Sequence, residues 1–124
     1  MSILFDHIDL RVPDLAAVEN FYRTLLPALG FIRDQKLDDW IQYEDETGSQ
    51  FFGVTESPGH VANENRIAFQ AVSKEEVDRL AEIARQVGAI NMEGPMLYGD
   101  GYHAFFEDPC GNRFEICHHF TRRD

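Results

Sequence analysis

An α+β fold built from two βαβββ modules is predicted, on three observations. A strand followed by a helix occurs twice, each helix is followed by short strand-like segments, and the two halves coincide at one offset. Residues 3–12 alternate, with Leu4, Ile8, Leu10 and Val12 on one side and Phe5, His7, Asp9 and Arg11 on the other, which is the period of a half-buried strand. Pro13 and Asp14 break that strand and Asp14 can cap a helix. Leu15, Val18, Phe21, Tyr22, Leu25 and Leu26 then recur at helical spacing, until Pro27 and Gly30 mark the helix end. Three strands are expected near residues 31–35, 40–43 and 51–55, separated by charged or glycine-containing turns.

The pattern then restarts. Residues 58–65 form a polar linker between a first module, 1–57, and a second, 66–124, within one domain of 124 residues. Residues 66–72 alternate, Ser73 and Glu76 form a capping box, and Val77, Leu80, Ile83, Ala84 and Val87 continue at helical spacing to Gly88. Strands are predicted near 89–92, 102–107 and 112–117, the last two joined by a four-residue turn, 108–111. Shifting one half by 59 residues places His7 on Arg66, Ile8 on Ile67, Leu10 on Phe69, Asp14 on Ser73 and Val18 on Val77. Strand faces and helix caps coincide, as a duplication requires. A single module leaves its sheet uncovered, so the two are expected to pack together, within the chain or across a dimer.

Composition excludes several classes of partner. The formal charge of −11 repels nucleic acid and anionic lipid, and the eleven Lys and Arg residues are scattered except for Arg122-Arg123. No stretch of 18 consecutive apolar residues occurs, and Asp6, His7 and Asp9 interrupt the first ten residues as no signal peptide would. No membrane association and a cytoplasmic location are therefore expected. Cys110 and Cys117 show neither CxxC nor zinc-type spacing and read as reduced thiols.

The segments FDHIDLRVPDLAAVENFY, RIAFQAVSKEEVD and DPCGNRFEI each resemble the vicinal-oxygen-chelate superfamily, which comprises glyoxalases, bleomycin-resistance proteins and extradiol dioxygenases. The resemblance spans nearly the whole chain. It implies paired βαβββ modules closing a cup-shaped mixed sheet with the helices on its outer face, a small-molecule substrate or ligand, and a homodimer. It also implies metal ligands at four places, the first and last strands of each module. His7 and Glu115 match two of these places and are the candidate ligands and catalytic residues. Arg66 stands where the second module's histidine would be and Gly53 where the first module's glutamate would be.

Strand parity aims the same residues at the cup. His7 lies opposite Ile8 and Leu10, Arg66 shares a row with Ala68 and Gln70, and Glu115 lies with Arg113 and Cys117 opposite Phe114 and Ile116. Arg66 and Gln70 are the candidate substrate-binding residues. With a four-residue turn at 108–111, Tyr102 joins the row of Glu115 as an acid or orienting hydroxyl, whereas a turn one residue different exchanges it for His103. Two functions follow. In the first, an iron, manganese, nickel or zinc ion held by His7 and Glu115 polarises adjacent substrate oxygens in a lyase or dioxygenase. In the second, a metal-free protein sequesters a small aromatic or anionic compound. There Arg66, which cannot ligate a cation, pairs with Glu115 and leaves His7 as a base; alternatively Arg66 swings aside to grip a carboxylate or phosphate of the substrate while a weaker metal site persists. A ligand-free structural dimer is the third alternative.

Overall fold

The computed structural model describes residues 4–120, so residue 3 of the expected first strand lies outside the described part. The chain divides into two compact units, 1–61 and 62–124, with the boundary inside the expected linker. Each unit is βαβββ, and the predicted α+β class holds.

In the first unit the order is β1 (His7–Val12), α1 (Leu15–Leu29), β2 (Phe31–Leu37), β3 (Trp40–Asp45) and β4 (Phe51–Glu56). The sheet runs β1-β4-β3-β2, with β1 parallel to β4 and the other neighbours antiparallel. Asp14 caps α1, its carboxylate accepting from the Ala16 amide at 3.1 Å, and Glu56 accepts the next unpaired amide, that of Leu15, at 2.9 Å. Pro27 and Gly30 mark the helix end as expected, with Pro27 inside the last turn and Gly30 as the cap. A proline in the last turn costs one N–H bond, while Gly30 at φ 114° closes the helix by donating to the Leu26 and Pro27 carbonyls. Val18, Phe21, Tyr22, Leu25 and Leu26 are buried together with Val12, Ile41, Tyr43, Phe52 and Val54, so α1 covers one face of the sheet.

The second unit repeats the plan with β5 (Arg66–Gln70), α2 (Lys74–Gln86), β6 (Ile90–Tyr98), β7 (Gly101–Glu107) and β8 (Arg113–His119), in sheet order β5-β8-β7-β6. The Ser73 hydroxyl accepts from the Glu76 amide at 3.1 Å. The Glu76 carboxylate reaches back to the Val72 amide rather than to that of Ser73, a capping box displaced by one residue. Val77, Leu80, Ala81 and Ala84 of α2 are buried, as are Ala104, Phe106, Phe114 and Ile116 of the sheet. No helix among the described residues is long and apolar enough to cross a membrane.

The turn between β7 and β8 holds five residues rather than the predicted four, because Glu107 pairs with Arg113. Buried Asp108 is the cause. Its carboxylate accepts from the amides of Cys110 at 2.8 Å and Asn112 at 3.0 Å, and from the Asn112 side chain at 3.0 Å, which draws Asn112 out of the strand and into the turn.

Candidate functional site

Each sheet has one face carrying its helix and one face without it, and the polar candidates lie on the helix-free faces, with one exception. In the first unit, His7, Asp9 and Arg11 pair with Phe51, Gly53 and Thr55, so the six share a face. On that face a concavity of about 260 Å³ is lined by His7, Asp9, Trp40, Phe51, Gly53 and Thr55. The His7 ring stacks on Phe51, with centroids 4.5 Å apart and planes 1° from parallel. Its Nδ1–H donates to the Asp6 carboxylate at 2.6 Å, which fixes the ring's orientation. Gly53 admits Trp40: a Cβ at position 53 would stand 2.8 Å from the indole Nε1. Asp9 accepts from Arg11 at 3.1 Å and from the Thr55 hydroxyl at 3.3 Å, so its charge is partly compensated.

In the second unit, the register sets Phe105 opposite Glu115 and His103 opposite Cys117, all on the helix-free face. His103 Nδ1–H donates to Glu115 Oε2 at 2.6 Å. The imidazole is only 5% exposed and Cys117 7%. His103 stacks parallel to Phe105, meets Tyr98 edge-on, and leaves Nε2 buried without a hydrogen-bond partner among the described residues. Gly101 makes room for that nitrogen, since a Cβ there would lie 2.9 Å from it and 2.6 Å from the His118 carbonyl. Arg66 and Gln70 are exposed on β5 and share this face with Glu115.

Two expectations are corrected by this geometry. Tyr102 is not beside Glu115: it lies on the helix-bearing face opposite His118, and its hydroxyl donates to Asp78 of α2 at 2.7 Å. The five-residue turn shifts the parity of β7 by one, and His103 takes the place expected for Tyr102. Second, Arg66 does not pair with Glu115. Its guanidinium lies over the Phe105 ring, 4.8 Å from the centroid, and Glu115 pairs with His103 instead. As the sequence already shows, two of the superfamily's four metal-ligand places hold no donor. Position 53 is a glycine with the Trp40 indole against it, and position 66 is an arginine, which has donors only. The residues at those four places do not make up the superfamily's ligand set.

The bond to Asp78 leaves a measurable trace on Tyr102. Donation to that carboxylate and its negative charge favour the protonated phenol and push the pKa above the ordinary tyrosine value. In an ultraviolet titration Tyr102 is expected to ionise at higher pH in the wild type than in Asp78→Asn. Coincident curves would show that the bond does not hold in solution.

Residues 4–116 match the Glyoxalase/Bleomycin resistance protein/Dioxygenase superfamily, and the chain belongs to it. The superfamily's fold is that of a small-molecule-binding or small-molecule-modifying protein. A glyoxalase/bleomycin resistance protein from Albidiferax ferrireducens T118 is similar at 27% identity and a TM-score of 0.80, over 95% of this chain and 100% of that one. A putative glyoxalase from Bacillus halodurans is 25% identical with a TM-score of 0.76, over 93% of this chain and 95% of that one. The fosfomycin resistance protein FosX from Listeria monocytogenes shares the fold at 22% identity and a TM-score of 0.67, over 98% and 97% of the two chains. No curated protein matches the chain.

Proposed function

We propose that this protein binds a small planar, aromatic molecule on the helix-free face of its first module, without a metal at the superfamily's usual places. The observation that carries the reading is the concavity formed where Trp40 lies against Gly53 and the His7–Phe51 stack forms an aromatic wall. Its volume of about 260 Å³ suits a single or fused ring better than a large ligand. Ring faces presented by Trp40, Phe51 and His7 offer offset stacking, and Asp9 gives the rim a negative character that favours neutral or cationic rings over anions. His7, held by Asp6 through Nδ1, has Nε2 as its remaining polar atom for a ligand hydroxyl. A metal-dependent lyase or dioxygenase with His7 and Glu115 as ligands is the rival reading, and Gly53 and Arg66 count against it.

The chain has one tryptophan, so its fluorescence reports on this face alone. Titration with catechols, naphthols and heteroaromatic amines is expected to change Trp40 emission saturably. By calorimetry, Phe51→Ala is expected to weaken the same ligands by about tenfold, the loss of one aromatic contact. A panel that leaves both emission and thermal midpoint unmoved, or affinities indifferent to Phe51→Ala, would overturn the reading.

A further inference from the structure

We infer that the second module carries a site of its own for a soft divalent cation such as zinc, built from His103, Glu115 and Cys117. One ligand atom from each of the three lies within 4.8 Å of the others. Zinc accepts imidazole and thiolate at bond lengths of about 2.0–2.3 Å, and a carboxylate on the other nitrogen of the imidazole orients that ligand, the place Glu115 takes here. All three sit on the helix-free face, on neighbouring strands, and two are almost wholly buried. A cation among them does not have to compete with bulk water for its ligands.

A second observation points the same way. Buried imidazole nitrogens are ordinarily paired, yet His103 Nε2 has no partner among the described residues. The fold holds that ring by other means, with Glu115 on Nδ1, Phe105 stacked on one side, Tyr98 edge-on, and the missing Cβ of Gly101 beside Nε2. With Glu115 on the Nδ1 side orienting the ring, Nε2 on the far side is the nitrogen left for a cation. His119 supports the cluster from two residues further along the strand, on the same face. Its Nε2 lies 3.6 Å from Cys117 Sγ, about the edge of a zinc tetrahedron, and its Nδ1 bonds Asp100 at 3.3 Å in the manner of a histidine oriented for a metal.

Charge balance is compatible with the site. On binding, the Cys117 thiol releases its proton to solvent, and thiolate and carboxylate together neutralise a divalent ion. The opposing charge is Arg66, whose guanidinium lies over Phe105, the ring stacked on His103. Neither Arg66 nor Gly53 is a ligand here. The inference does not rest on the ligand-binding role given to the first module.

Cobalt(II) and zinc titrations of the full chain test the inference. One equivalent of cobalt is expected to raise a thiolate-to-metal charge-transfer band in the near ultraviolet. The band should survive Cys110→Ser, disappear in Cys117→Ser, and require about 100-fold more metal in His103→Ala. Zinc should raise the thermal midpoint of the wild type, a readout that holds even if a variant folds poorly. No stoichiometric uptake by the wild type, or a band that persists in Cys117→Ser, would overturn the site. Trp40 quenching by aromatic ligands is a separate signal, so failure of either proposal leaves the other intact.

Discussion

Gly53→Glu is expected to abolish binding of planar ligands to the first module, a loss of about 2–3 kcal/mol or roughly 100-fold in affinity. The substitution restores the residue type that the superfamily places there, yet this chain has used the space differently. A Cβ at position 53 meets the Trp40 indole at 2.8 Å, closer than such atoms approach, so the ring must move. Trp40 is itself half-buried, and Gly53 is buried beneath it, so the displacement removes one wall of the concavity. Glutamate then adds a carboxylate next to Asp9, where like charges repel. Gly53→Ala should show the steric part alone, as a shift of Trp40 emission in the free protein with weaker binding. Unchanged emission and undiminished affinity in both variants would mean that the indole does not rest on the glycine.

Phe114→Ala is expected to cost about 3–5 kcal/mol, a large share of the stability of a domain this size. Phe114 is 1% exposed and stacks between Phe69 and Phe106, with centroids 5.9 Å away on either side. Truncation removes the transfer energy of a ring and leaves a cavity in a layer tied by hydrogen bonds on both neighbouring strands. Urea unfolding followed by far-ultraviolet circular dichroism should show a lower midpoint with an unchanged slope. Tryptophan fluorescence is the wrong probe, since Trp40 lies in the other unit. A cost below about 1 kcal/mol would contradict the packing described for the second module.

Much of this fold could be read from residue pattern because local rules and tertiary structure agree. Leu10 and Val12 alternate with Asp9 and Arg11, and Asp14 and Ser73 cap helices at equivalent places. The faces of His7, Arg66, Gln70 and Glu115 follow from strand parity alone, and the strand pairings place them accordingly. What escaped depends on features without a periodic signature. Asp108 recruits Asn112 into a turn, which lengthens it by one residue and exchanges Tyr102 for His103 beside Glu115. The Trp40–Gly53 contact joins neighbouring strands through an absent Cβ, and alternation gives no hint of it. The proximity of His103 and Cys117 follows from the same register, so the correct turn length would have revealed it.

The parallel pairing of each module's first strand also bears on the order of assembly. His7 meets Phe51, and Arg66 meets Arg113, only after a helix and two further strands have been traversed. By contrast, β2 to β4 and β6 to β8 are meanders that zip through short turns. Closing long loops is slow and zipping hairpins is fast, so both meanders should be protected from amide exchange before β1 and β5 arrive. The segments bearing His7 and Arg66 would then be last to join during refolding.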